Sequence, residues 1–106
     1  MNVVNIVGRL GQAPELREVG DKKTATISVA TKEYGDKTEW HRVCLWGKDA
    51  EVVAQYVAKG DLIAITGRLQ TREYTTKDGE KKYTTEIVAN RVTLCGGKNS
   101  GEERPF

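Results

Sequence analysis

Two tryptophans and an arginine share one side of a single short stretch of this chain. In Thr38 to Lys48, TEWHRVCLWGK, apolar and polar residues alternate strictly. Side chains in an extended strand switch face at every residue, so Trp40, Arg42, Cys44 and Trp46 lie on one side and His41, Val43 and Leu45 on the other. The aliphatic set can enter a core. The other set then displays both of the chain's tryptophans with a guanidinium between them. A single tryptophan is more often part of a core than of a ligand site. Two of them opposite an aliphatic set, flanking an arginine, suit unpaired bases, which stack on the rings while the cation meets the phosphate. Other chemistry finds little footing. There is one histidine, and no serine or cysteine has a base and an orienting acid around it. His41 and Cys44 have the spacing of two metal ligands, but alternation sends them to opposite faces, and Cys95 alone cannot complete a zinc site. Glu39 and Glu51 lack a second carboxylate at any diagnostic spacing and read as solvated charges. Neither an enzyme, a metal nor a cofactor is expected.

The elements that must hold this stretch follow from periodicity. Asn2 to Leu10 alternates, with Val4, Ile6, Gly8 and Leu10 on one face and Val3, Asn5, Val7 and Arg9 on the other. Apolar residues on both faces predict a strand covered twice, once by the core and once by something else. Gly11 and Pro14 break the pattern, and Glu15 to Val19 can add a short return strand. After a turn at Gly20-Asp21, Lys23 to Glu33 alternates with Ala25, Ile27 and Val29 inward. Tyr34-Gly35-Asp36-Lys37 is a loop that carries an aromatic residue in a polar setting. Beyond Trp46-Gly47 the period changes from two to about 3.6, and Ala50, Val53, Ala54 and Val57 form one apolar stripe. Asp49 suits the N-cap, Glu51 the first turn and Gly60 the position past the end, which predicts one helix of about eleven residues. Leu62 to Tyr74 alternates again, with Ile63, Ile65, Gly67 and Leu69 opposite Arg68, Gln70, Arg72 and Tyr74. Asp78-Gly79 signals a hairpin, and Tyr83 to Leu94 is the last strand. Gly96 to Phe106 has no periodicity and reads as a short disordered tail, so the folded domain is expected over residues 1–95.

Strand-strand-strand-helix-strand-strand is the order of the five-stranded oligonucleotide-binding barrel (OB-fold), an all-β fold with one helix. Gly8, Gly47 and Gly67 would serve where strands coil or bend at its corners. Length and charge agree with one small binding domain. The chain has 106 residues, 38% of them apolar, with 17 Lys+Arg against 15 Asp+Glu and a net charge of +2. Positive charge for phosphates must therefore be concentrated on one face, and by strand face the candidates are Arg42, Lys48, Arg68 and Arg72. Two cysteines make no disulfide framework and are expected as reduced thiols in a cytosolic protein. No signal peptide or membrane-length apolar run is apparent in the sequence.

The motifs TEWHRV, WGKDAEVVAQYVAKG, GRLQTREY, the Asp-Gly hairpin and YTTEIVA, preceded by NIVGRLGQAPELR and ATISVAT, resemble the bacterial-type single-stranded DNA-binding protein family in order and spacing over about residues 2–95. The resemblance implies an oligonucleotide-binding barrel assembled as a homotetramer, or as paired dimers, around which single-stranded DNA wraps during replication, recombination and repair. It also implies residue roles. Trp40 corresponds directly to a base-stacking aromatic, Trp46 stands where the family has Phe or Trp, and Tyr74 where many members have Trp. Tyr34 corresponds loosely, because the loop before its strand is shorter here. Arg72 matches a cation near the DNA backbone, and Gln70 stands where some members carry Arg. His41 matches a histidine at a subunit contact, which joins Val3, Asn5 and Val7 as expected interface residues.

The tail departs most from the family's long linker and acidic tip. The linker is GGKNSG, and Arg104 interrupts the tip before Pro105 and Phe106. That surviving Pro-Phe points to a naturally short member whose last residues dock replication or repair proteins. The family resemblance places the protein in the bacterial cytoplasm at the nucleoid, or in the host cytoplasm if a phage or plasmid encodes it. The rival reading is an oligonucleotide-binding barrel that binds structured RNA or, as in primosomes, other proteins, since the fold alone does not choose the ligand. The same-face tryptophans and Tyr74 favour splayed, unpaired bases.

Overall fold

The computed structural model describes residues 1–96; Pro105 and Phe106, the expected partner-docking residues, lie outside the described residues. Six strands and one helix follow one another as β1 (Val4–Leu10), β2 (Glu15–Val19), β3 (Lys22–Lys32), β4 (Thr38–Trp46), α1 (Lys48–Tyr56), β5 (Leu62–Thr75) and β6 (Lys81–Gly96). Five of the strands close into a ring. β1 pairs with β5, β5 with β6, β6 with β4, β4 with β3, and β3 returns to β1 at Arg9↔Ala30 and Leu10↔Val29. All these pairings are antiparallel except the short one between β4 and β6, Val43↔Ile87 and Cys44↔Val88. β2 is a sixth strand outside the ring, and its only strand partner is β3, from Glu15↔Thr26 to Val19↔Lys22. The optional return strand of the sequence reading is thus real, and the ring of five is the expected barrel.

Closure has a steric condition at two glycines. A β-carbon at Gly8 would run into the Ala30 carbonyl, where β1 crosses to β3, and one at Gly67 would run into the Val88 carbonyl on β6. Only glycine lets the backbones approach that closely. Just beyond Gly67 the register of β6 slips: Gly67 pairs with Ala89 but Thr66 with Arg91, leaving Asn90 as an extra residue. The bulge bends the strand and reverses its alternation. Ile87 and Ala89 therefore point inward before it and Val92 after it, so a long strand can follow a curved wall.

The core is aliphatic. Leu45, Ile63, Val29 and Val43 have no exposed surface, and Ile65 has 1%. Burial of each side chain of this kind stabilises the fold by about 1.5–3 kcal/mol relative to leaving it exposed. Ala50 and Val53 of the helix, with Val57 just past its end, join the same cluster. The helix is shorter than expected, nine residues, and its N-cap position is Gly47 at φ 61, with no side-chain cap, rather than Asp49. Asp49 and Glu51 sit in its first turn, where carboxylates oppose the positive end of the helix dipole. The helix ends at Tyr56 because Val57 turns to an extended backbone and buries its side chain. Gly60, expected just past that end, lies later in the loop at φ 90, and its N–H donates to the Leu10 carbonyl at 2.9 Å. That bond, with Leu10 N–H to the Asp61 carbonyl at 3.1 Å, ties the loop to β1. No helix among the described residues is long and apolar enough to cross a membrane.

Candidate nucleic-acid interface

Val43 and Leu45, fully buried, pin the inner side of β4 and force its alternate residues outward. Trp40 is 59% and Trp46 46% exposed, a high fraction for the largest apolar side chains in the chain. The neighbouring strand leaves them uncovered. Along β3 the partners are small: Ala30 opposite Trp40, Ser28 opposite Arg42, Thr26 opposite Cys44 and Thr24 opposite Trp46. Trp40 also has a floor. A β-carbon at Gly11 would strike its six-membered ring, and the Gly11 N–H is fixed to the Ser28 carbonyl at 2.9 Å. Bare backbone supports the ring from below while more than half of its surface stays in water.

On the other side of β4, the barrel brings in β6 and then β5. Val88 lies beside Cys44. Across β6, Arg68 faces Val88, Gln70 faces Glu86, Arg72 faces Thr84, and Tyr74 faces Lys82. Chain curvature then folds the β5–β6 hairpin toward β4. One open cavity is lined by Arg42, Trp46, Gln70, Arg72 and Glu86 among others, and a second joins Arg42 and Arg72 to Tyr74. Tyr74 is 44% exposed, which leaves its ring available at the end of that second cavity.

The arginines are not free cations. Glu86, the one buried charged side chain among the described residues, accepts a bond from Arg42 Nε at 2.9 Å through Oε2, and its Oε1 lies 3.3 Å from Arg72 Nε. Its side chain is 7% exposed, while those of the two arginines are 50% and 54% exposed. A buried carboxylate must be paired in this way, because leaving it unpaired costs several kcal/mol, about 3–5.

The model of the single-strand binding protein family matches residues 1–95. The chain belongs to this family. Among curated relatives, the "Single-stranded DNA-binding protein 1" of Chlorobaculum tepidum is 40% identical over 111 aligned positions, covering 95% of this chain and 68% of that protein. The "Single-stranded DNA-binding protein 1" of Xylella fastidiosa is 39% identical over 113 positions, covering 97% and 83%.

For this family member the structure brings together Trp46, Arg42, Arg72, Gln70 and Tyr74, and it sets Trp40 on the same strand face. Arg68 is exposed on the same side of β5 as Gln70, two strands from Cys44. Lys48 and Tyr34 are not brought into the cluster. Lys48 is the first residue of α1, past the end of β4, and lines neither cavity. Tyr34 is 98% exposed in the loop between β3 and β4, which is closed by the Glu33 N–H to Lys37 carbonyl bond at 2.9 Å. Of the expected interface residues, Val3, just before β1, and Val7, on its outer side, are more than half exposed, and Asn5 accepts a bond from Thr66 Oγ1 at 2.7 Å. Val7 lines a shallow apolar depression with Ala30, Thr38 and Leu62. His41 faces the other way from Thr38, half-buried, with Nε2 2.8 Å from Thr31 Oγ1.

Three residues have a place at the site that no local pattern announces. Gly11 reads in sequence only as a strand breaker. Arg17 lies opposite Thr24 on β2, in the row that continues to Trp46, and it borders the cavity holding Arg42 and Arg72. All five residues of β2 are exposed, so alternation within it marks no outward face and gives Arg17 no signal. Glu86 carries no signal in sequence, because its partners come from two other strands.

Glu86 also acts on Cys44. Burial pushes the Cys44 thiol above its ordinary range, and the hydrogen bond and negative charge of Glu86 push the same way, against Thr26 and Arg42. Cys44 therefore stays protonated where an ordinary thiol ionises. In a Cys95→Ser variant, the pH midpoint for iodoacetamide alkylation should lie above that of N-acetylcysteine, since only the thiolate reacts. A midpoint at or below the model thiol would contradict this placement.

Proposed function

We propose that this protein binds single-stranded DNA without regard to base sequence, as a homo-oligomer, and so protects exposed strands during replication, recombination and repair. The observation that carries the reading is the outer face of β4, with two half-exposed indoles beside small β3 residues and next to a pair of arginines. Splayed bases stack on Trp40, Trp46 and Tyr74, and every base offers a π-face, so the contact tolerates any sequence. Arg42 and Arg72 meet the phosphates, with Arg68, Gln70 and Arg17 along the flanks. Lys48 and Tyr34 would join only at the rim. Duplex DNA fits poorly, because its base faces are already covered by neighbouring pairs. Residues 1–95 act as the binding unit, and residues 96–106 as a tail whose Pro105 and Phe106 engage replication or repair proteins.

Both tryptophans lie on the proposed face, so indole emission reports on it alone. Titration with poly-thymidine should quench that emission, poly-uridine should act more weakly, and duplex DNA should not compete. Absence of a quench, or equal competition by duplex, would sink the reading, and preference for folded RNA would favour the rival one.

The cations make a second prediction. Binding should weaken with salt by about 0.7 logarithmic units per phosphate neutralised. Arg72→Ala should reduce that slope by about one phosphate's worth, equally for oligonucleotides of different sequence. A large loss of affinity at unchanged slope would assign Arg72 a structural role instead.

A further inference from the structure

Arg42 and Arg72 converge on one carboxylate, and the geometry of that convergence has consequences for binding. Each arginine approaches Glu86 through Nε, Arg42 at 2.9 Å to one oxygen and Arg72 at 3.3 Å to the other. The carboxylate is almost wholly buried, whereas about half of each arginine side chain is exposed. Glu86 thus engages each guanidinium at its Nε. Guanidinium has five N–H donors in a flat fork, so an edge remains for phosphate after Nε is engaged. Phosphate cannot replace Glu86 cheaply, since that would strand a buried negative charge.

We propose that Glu86 is a built-in counter-ion of the DNA-binding face: it aims Arg42 and Arg72 at the strand and cancels one of their two charges, so that the pair neutralises one phosphate rather than two. This rests on the proposed single-stranded DNA binding. Three charged groups, two positive and one negative, leave a net +1 on the cluster before and after the strand arrives. Glu86 is a positioning residue that acts through the arginines and does not touch DNA. Its effect is to moderate the dependence on salt, and to hold the rigid fork geometry that a pair of unpartnered arginines would lose.

The test is the salt dependence of poly-thymidine binding to the full chain. Glu86→Gln keeps the shape and one accepting oxygen but raises the cluster to +2. Its slope of log affinity against log salt should steepen by about 0.7. The ratio of variant to wild-type affinity should then fall about fivefold for each tenfold rise in salt, with the variant tighter at low salt. Arg72→Gln lowers the cluster to zero and should flatten the wild-type slope by the same amount. The double variant Arg72→Gln, Glu86→Gln returns to +1 and should recover the wild-type slope. Should Glu86→Gln alone fail to fold, the double variant compared with Arg72→Gln still carries the test. Equal slopes for Glu86→Gln and wild type, or for the double variant and Arg72→Gln, overturn the counter-ion role while leaving DNA binding intact. A wild type that does not bind poly-thymidine at low salt overturns the proposed function itself.

Discussion

Trp40→Ala should weaken binding of single-stranded DNA by about 1–3 kcal/mol, roughly 5- to 150-fold in affinity. The ring is 59% exposed, so its removal strips a stacking surface and takes little from the core. Thermal unfolding should therefore shift only slightly while affinity collapses. Gly11 supplies an internal check, because its added β-carbon would strike the same ring. Gly11 is not at positive φ, so Gly11→Ala costs nothing in backbone conformation and acts through the displaced indole alone. It should reproduce part of the Trp40→Ala loss and add nothing further in the Trp40→Ala background. Independent, additive losses from the two substitutions would show that Gly11 does not support the ring.

Breaking the assembly should have a still larger effect on long DNA. Val7 on the outer side of β1, and Val3 just before that strand, leave apolar side chains more than half exposed. A second copy of the chain would bury them through a two-fold contact, the commonest way for identical subunits to close. Val7→Asp places a carboxylate in the depression that Val7 shares with Ala30 and Leu62, and burial there would desolvate the charge. In light scattering the wild type should have several times the mass of one 11.8 kDa chain, and the variant should approach one. Linked barrels bind a long strand with an avidity that exceeds one barrel's affinity by about 10²–10⁴-fold. The variant should lose a factor of that order on long poly-thymidine. It should bind an oligonucleotide of about eight residues, which one barrel can fill, as the wild type does. His41→Tyr tests whether His41 belongs to the proposed contact. It removes the bond to Thr31 and should shift the equilibrium toward monomer on dilution; an unchanged oligomer would clear His41 of the role. A wild type that scatters as one chain at micromolar concentration would remove the premise for both substitutions.

Local pattern alone determined the strands, the single helix and the face on which both tryptophans stand. A strand's alternation is a property of consecutive residues, and Val43 and Leu45 must turn inward for the same reason that Trp40 and Trp46 turn outward. The family resemblance was legible too, since it rests on short motifs in fixed order. Helix ends were less so, because Gly47 and Gly60 take positions set by the loops' bonds to β1 and β3 rather than by capping preference. The status of β2 was left open, since a five-residue strand with every residue exposed has no buried side to betray it. Which residues meet across strands is set by the closure of the barrel. Register and barrel closure, set by Gly8, Gly67 and the Asn90 bulge, bring Arg42 of β4 and Arg72 of β5 to Glu86 of β6. They set Gly11 under Trp40 and Arg17 in line with Trp46. Such meetings depend on how a sheet twists shut, and periodicity along one strand holds no information about which residues of distant strands come to lie beside it.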